Sequence, residues 1–124
     1  MTRGTENDDP RVVAAINTAI DLAEHDEYES AIRLLMDTVE VVPHSSALRG
    51  YLSWYLLQSD RVGEAIVESR IAGDLAPDSE RVSMIRFHVL WKAGFLIDAL
   101  DEMRRFVSSH ESKEYTTIIR EWSP

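Results

Sequence analysis

Apolar residues recur every three to four positions through 11–24, and Asp9 followed by Pro10 supplies a capping carboxylate and a residue whose missing N–H is no loss at a helix start. The spacing predicts a helix there. The pattern breaks at 25–27 and resumes with Tyr28, Ala31, Ile32, Leu35 and Val39 on one face of a second amphipathic helix, which Pro43 closes. Two helices joined by so short a break form an antiparallel hairpin.

The unit repeats. Pro43 and Pro77 lie 34 residues apart, and a shift of 34 superposes Leu22 on Leu56 and Leu90, Ala31 on Ala65 and Ala99, and Asp26 on Asp60 and Gly94. Three copies fit, at about 11–44, 45–78 and 79–111. The breaks in the second and third copies fall at 59–61 and 93–95. Gly94 takes a left-handed helix end readily, and Asp26 and Asp60 are short polar substitutes for it. Each alanine opens a second helix, where a small side chain lets the two axes approach, and each leucine fills the space between them. Beyond them, 112–122 places Tyr115, Ile118, Ile119 and Trp122 on one face, the pattern of a capping helix over the last unit's apolar flank. The expected architecture is all-α, with a flexible tail over 1–9 and a single domain over 10–124.

The order Asp26, Tyr28, Ala31, Leu35, Pro43 resembles the tetratricopeptide repeat, whose 34-residue unit is a helix-turn-helix. The resemblance implies three stacked hairpins in a right-handed superhelix, first helices along a concave surface, and a role in binding proteins. Ala19, Ser53 and Phe87 stand where that family has a glycine, and Glu111 stands where the third copy would have its proline.

Composition narrows the function. A chain of 124 residues is one domain, and 13 Lys plus Arg against 22 Asp plus Glu leave a net charge of −9, which repels nucleic acid and anionic membranes. Hydrophobic residues at 44% and charged residues at 28% are those of a chain that folds. The absence of Cys removes disulfides, thiolate nucleophiles and sulfur-ligated metals. With neither a signal peptide nor a membrane span in the pattern, the expected location is the cytoplasm. No two of His25, His44, His88 and His110 stand at the helical spacing of a metal site, and His25 and His44 fall in turns with His110 near a helix end, so neither metal nor cofactor is expected. Glu64 with Glu68, and Asp98 with Asp101 and Glu102, read as solvated helix faces rather than catalytic pairs. No catalytic residues are assigned, and the chain is not expected to be an enzyme.

The stretch 45–58 is apolar around nearly its whole circumference. Either both neighbouring units cover it, or part of it lines a groove. In the second reading Trp54 and Leu57, with Ile16 and Ile20 before and Met84, His88 and Trp91 after, form an apolar concavity, although His88 is equally read as a half-exposed residue. Arg49, Arg81 and Arg86 bring positive charge to that side, with Arg81 placed to meet an acidic residue of a partner. Tetratricopeptide proteins that clamp an acidic C-terminus line the groove with Lys and Asn. Ile16, Ile20 and Tyr51 take those places here, so an apolar segment is the expected ligand.

Small acidic three-repeat chains also resemble the cytoplasmic chaperones of type III secretion, and the tail from Trp91 through Ala99 to Trp122 is loosely similar to their needle-subunit subfamily. The expected partner is therefore an apolar peptide or helix of another protein, held by an adaptor or chaperone. A homodimer that buries the same surface is the alternative.

Overall fold

A computed structural model of the chain describes residues 3–122, with side chains from 6 to 121. Seven α-helices and no strand occur among them: α1 (Pro10–Glu24), α2 (Tyr28–Val41), α3 (Ser46–Gln58), α4 (Val62–Leu75), α5 (Glu80–Lys92), α6 (Leu96–Val107) and α7 (Lys113–Trp122). Each helix packs against the next through α6, and the first helices of successive hairpins, α1, α3 and α5, also touch one another.

The odd-numbered helices begin on side-chain caps. Asp9 accepts the Arg11 N–H at 2.9 Å, Ser45 that of Leu48 at 3.1 Å, Ser79 that of Val82 at 3.2 Å and Ser112 that of Tyr115 at 3.1 Å. The residue three past each serine, Leu48, Val82 or Tyr115, is buried. Thus α7 starts as α3 and α5 do, and stands as the first helix of a fourth unit.

The turns inside the hairpins are fixed by the backbone. Asp26, Asp60 and Gly94 have φ of 60°, 61° and 88°, the left-handed conformation expected at all three. Beside them the N–H groups of Glu27, Arg61 and Phe95 reach back to the carbonyls of Leu22, Leu56 and Leu90 at 2.8–2.9 Å, a bond that ends one helix and aims the next. The repeated leucines therefore supply the accepting carbonyls as well as packing. Ala31, Ala65 and Ala99 are fully buried, and Ser53 Oγ donates to the Ala65 carbonyl at 2.8 Å, from α3 to α4.

The core has two parts. One joins α1 to α4 and takes in Val89, and the other comprises Met84, Phe87, Leu90, Ala99, Met103, Phe106 and Tyr115. Among the described side chains of α7 only Tyr115 is fully buried, between the rings of Phe87 and Phe106 at 5.6 and 5.9 Å. Ile118 packs beside it, but Ile119 is 43% exposed and lines the cleft at the end of α6. The Trp122 side chain, expected on the same face, lies outside the described residues.

Within the segment expected as a flexible tail, Glu6 and Asn7 dock onto the start of the second hairpin. Arg3–Asp8 is a 3-10 turn in which Asn7 Oδ1 accepts from Ser45 Oγ at 2.6 Å and from the Ala47 N–H at 3.1 Å, while Asn7 Nδ2 donates to Ser46 Oγ at 3.1 Å. Asn7 thereby satisfies an amide at the N-terminus of α3 that the helix itself cannot. Glu6 accepts the His44 N–H at 3.0 Å in the same corner.

Candidate functional site

The α3 and α5 helices pack against each other. A β-carbon at Gly50 would come within 3.3 Å of Ile85 Cδ1, so the bare glycine is what admits Ile85 there. Beside this contact lies an open groove of about 520 Å³. Tyr51 and Trp54 line it from α3, Arg81, Met84, Ile85 and His88 from α5, and Glu80 and Glu114 complete its edge. In the 34-residue register Ile20, Trp54 and His88 occupy the same place on successive first helices.

Four of the expected groove residues thus come together: Trp54, Arg81, Met84 and His88. Trp54 keeps 37% of its surface exposed, while Met84 is reduced to 9% as part of the floor. Ile16 and Ile20 are half-buried and lie outside the groove, Ile16 against the core of the first two hairpins. Trp91 is 36% exposed and stacks on Phe87, ring centroids 5.9 Å apart, instead of lining the groove. Leu57 is a correction: at 2% exposure it belongs to the core. The circumference of α3 is apolar because its neighbours cover most of it, and only the Tyr51 and Trp54 side faces the concavity.

Two of the three arginines also point elsewhere. Arg49 donates to the Pro43 carbonyl and to Glu68, both at 2.9 Å, with both members of the ion pair largely buried. Arg86 faces Glu102, at 3.8 Å. Only Arg81 stays at the groove, where it donates to Tyr51 Oη at 3.2 Å and places its guanidinium carbon 5.9 Å from the Tyr51 ring centre. Tyr51, Ile85, Glu80 and Glu114 complete the groove. The apolar circumference of α3 held a signal for Tyr51, while Glu114 enters only through the docking of α7.

His88 is flanked by two aromatic edges, Trp54 at 6.4 Å and Phe87 at 5.4 Å. Burial pushes its imidazole below the usual 6.5, and the charge of Glu114 opposes this only in part. The ring is therefore neutral at pH 7, and the groove offers indole, imidazole, phenol, thioether and aliphatic surface with acids at its edge. Such a surface recognises apolar groups.

Glu102 also departs from expectation. It is 6% exposed, accepts from Ser83 Oγ at 2.7 Å, and pairs with Arg105, which in turn donates to the Pro77 carbonyl at 3.0 Å. Asp98 and Asp101 are exposed, whereas Glu102 forms a buried polar joint between α5 and α6. In the second hairpin Arg49 and Glu68 occupy the equivalent places.

A larger open cleft of about 790 Å³ lies between the end of α6 and α7. Three of its hydroxyls bond back to the backbone, Ser108 to the Arg105 carbonyl at 2.7 Å, Thr116 to that of Ser112 at 2.7 Å and Thr117 to that of Lys113 at 2.9 Å, and Ser109 Oγ lies 3.0 Å from His110 Nδ1. Among the described residues no three His, Asp or Glu side chains gather as a metal site requires, and no helix is long and apolar enough to cross a membrane.

No family model and no curated protein matches this sequence. Among solved structures, a mutant of MamA, a tetratricopeptide-repeat protein, is similar to this chain with a TM-score of 0.70 and 23% identity, over 89% of this chain and 81% of its own. At that identity the likeness speaks for the fold: three stacked helical hairpins and a closing helix form a tetratricopeptide-like repeat domain.

Proposed function

We propose that this chain is a protein-interaction module, binding rather than catalytic, whose groove between α3 and α5 takes an apolar peptide or helix of another protein. The observation that carries this reading is Trp54, a large aromatic 37% exposed in a concavity beside His88, Met84 and Ile85. Covering the exposed indole, on the order of 90 Å² at roughly 25 cal/mol per Å², is worth about 2 kcal/mol, the size of an interface anchor.

Arg81 is engaged by Tyr51, and Glu80 and Glu114 stand at the edge. Both facts favour an apolar ligand over the acidic C-terminus that related grooves clamp. An adaptor releases short peptides readily, whereas a chaperone of the type III secretion kind holds one aggregation-prone subunit stoichiometrically.

The test is a displayed library of short helical peptides panned against the folded chain, with enriched sequences titrated by calorimetry. Enrichment of peptides with apolar residues at helical spacing is expected, with at least about tenfold weaker binding to Trp54→Ala at unchanged helix content. A library that enriches nothing, or peptides that bind the variant equally well, would overturn the reading.

A further inference from the structure

The three hairpin turns share one backbone and differ in what they expose. After the left-handed residue the first continues Glu27, Tyr28, Glu29, the second Arg61, Val62, Gly63 and the third Phe95, Leu96, Ile97. In the second turn the charges are paired within the chain: Arg61 forks onto Glu64 with two bonds of 2.9 Å and reaches Glu29 at 3.1 Å. The 34-residue shift puts Phe95 in the place of Arg61 and Asp98 in the place of Glu64. The cation is gone, the carboxylate remains, and three consecutive large apolar side chains stand 52%, 44% and 76% exposed.

Together they present on the order of 300 Å² of apolar surface, the lower end of the largest patch on a typical monomer, which is often functional. Lys92 precedes the patch and Asp98 follows it, and neither makes an ion pair among the described residues. Asp98 borders a cleft with Arg70 but does not bond to it.

We propose that a second copy of this chain covers this turn, in a two-fold dimer where Phe95, Leu96 and Ile97 of the two copies meet and Lys92 of each pairs with Asp98 of the other. A two-fold axis makes every contact reciprocal, so it suits a patch with an apolar centre and one charge of each sign at its edges. A partner of a single charge would leave one of these edges opposed by like charge. A net charge of −9 repels an anionic lipid surface, and it also sets two copies against each other, so the Lys92–Asp98 pairs must offset that repulsion locally. The patch is small beside the roughly 800 Å² per partner of a stable interface, so the dimer is weak and concentration-dependent. None of these residues lines the Trp54 groove, which stays open in the dimer.

Sedimentation velocity over about a hundredfold range of concentration tests this on the full chain. The mass should climb from 14.1 kDa toward twice that value, and Ile97→Glu should raise the dissociation constant at least about tenfold. Lys92→Glu and Asp98→Lys should each weaken the dimer, and the two together should restore it. These charge variants decide the matter even if Ile97→Glu fails to fold. A chain that stays at 14.1 kDa throughout, leaving the patch to another partner, would overturn the proposal. So would a dimer that ignores Ile97→Glu or dissolves with Trp54→Ala, or a double charge variant that restores nothing.

Discussion

Ser83 on α5 gives its single hydroxyl proton to Glu102 on α6 across 2.7 Å, and this fixes the direction of the next bond in the cluster. Tyr115 Oη lies 2.7 Å from the same Ser83 oxygen. With the serine proton committed to the carboxylate, the tyrosine must be the donor. Burial pushes the Tyr115 phenol up to about 12, so it keeps the proton it donates. Tyr115 and Ser83 therefore donate in sequence toward Glu102, which accepts from Arg105 on its other side, so the donors of three helices converge on one carboxylate.

That direction ranks two substitutions. Tyr115→Phe removes one donor from a hydroxyl that still has a partner, and should cost about 1 kcal/mol. Ser83→Ala leaves a buried carboxylate short of a donor and a buried phenol without an acceptor, so it should cost about 2 kcal/mol or more. Urea unfolding of the two variants beside wild type checks the order; a neutral Ser83→Ala would show that the joint carries no net stability.

Because burial lowers the imidazole of His88 below 6.5, the unfolded chain binds more protons than the folded one between the folded value and 6.5. Stability contributed by neutral His88 is complete above 6.5 and is lost as pH falls through the folded value. The His88 ring resonances should titrate below 6.5 by NMR, and His88→Gln should lose less stability than wild type on acidification. His25 shifts upward, through its bond to the Asp21 carbonyl, so it acts oppositely in both chains and cancels in the comparison. A His88 midpoint at or above 6.5 would contradict the sheltered ring.

Gly94 holds φ at 88° with nothing within 4 Å of where a β-carbon would be. Any cost of Gly94→Ala is therefore backbone strain alone, about 1–2 kcal/mol. Gly94→Asp should cost less, since Asp stands at φ of 60° and 61° in the other two turns and accepts this conformation better than Ala. Thermal melts of the two variants give the comparison, and equal losses would mean that the turn does not discriminate by side chain.

The helix ends were legible in the sequence because they depend on residues with few conformational options: Asp9 before Pro10, the prolines after α2 and α4, and the left-handed position shared by Asp26, Asp60 and Gly94. The alanine column was legible because only a small side chain fits where axes converge. The directions of long side chains were not. Arg49 and Arg86 have the reach to extend either way from their helices, and Glu68 on α4 and the buried Glu102 on α6 draw them away from the groove. Leu57 lies one turn from Trp54 and differs only in having neighbours on its side. Glu102 has the spacing of a solvated acid, and only the serine and tyrosine brought in by α5 and α7 reveal it as buried. The docking of the first residues rests on Asn7, a residue that looks in sequence like any polar tail.

In each hairpin turn the bond that closes one helix and aims the next runs between backbone atoms, from the N–H of Glu27, Arg61 or Phe95 to a leucine carbonyl. The side chains at those three positions are therefore spared any part in holding the joint, and they differ completely: an acid, a cation and an aromatic ring. Surface chemistry at the corners of such a stack can drift through substitution while the course of the chain is inherited unchanged, so one scaffold can acquire a new interface without first learning a new way to fold.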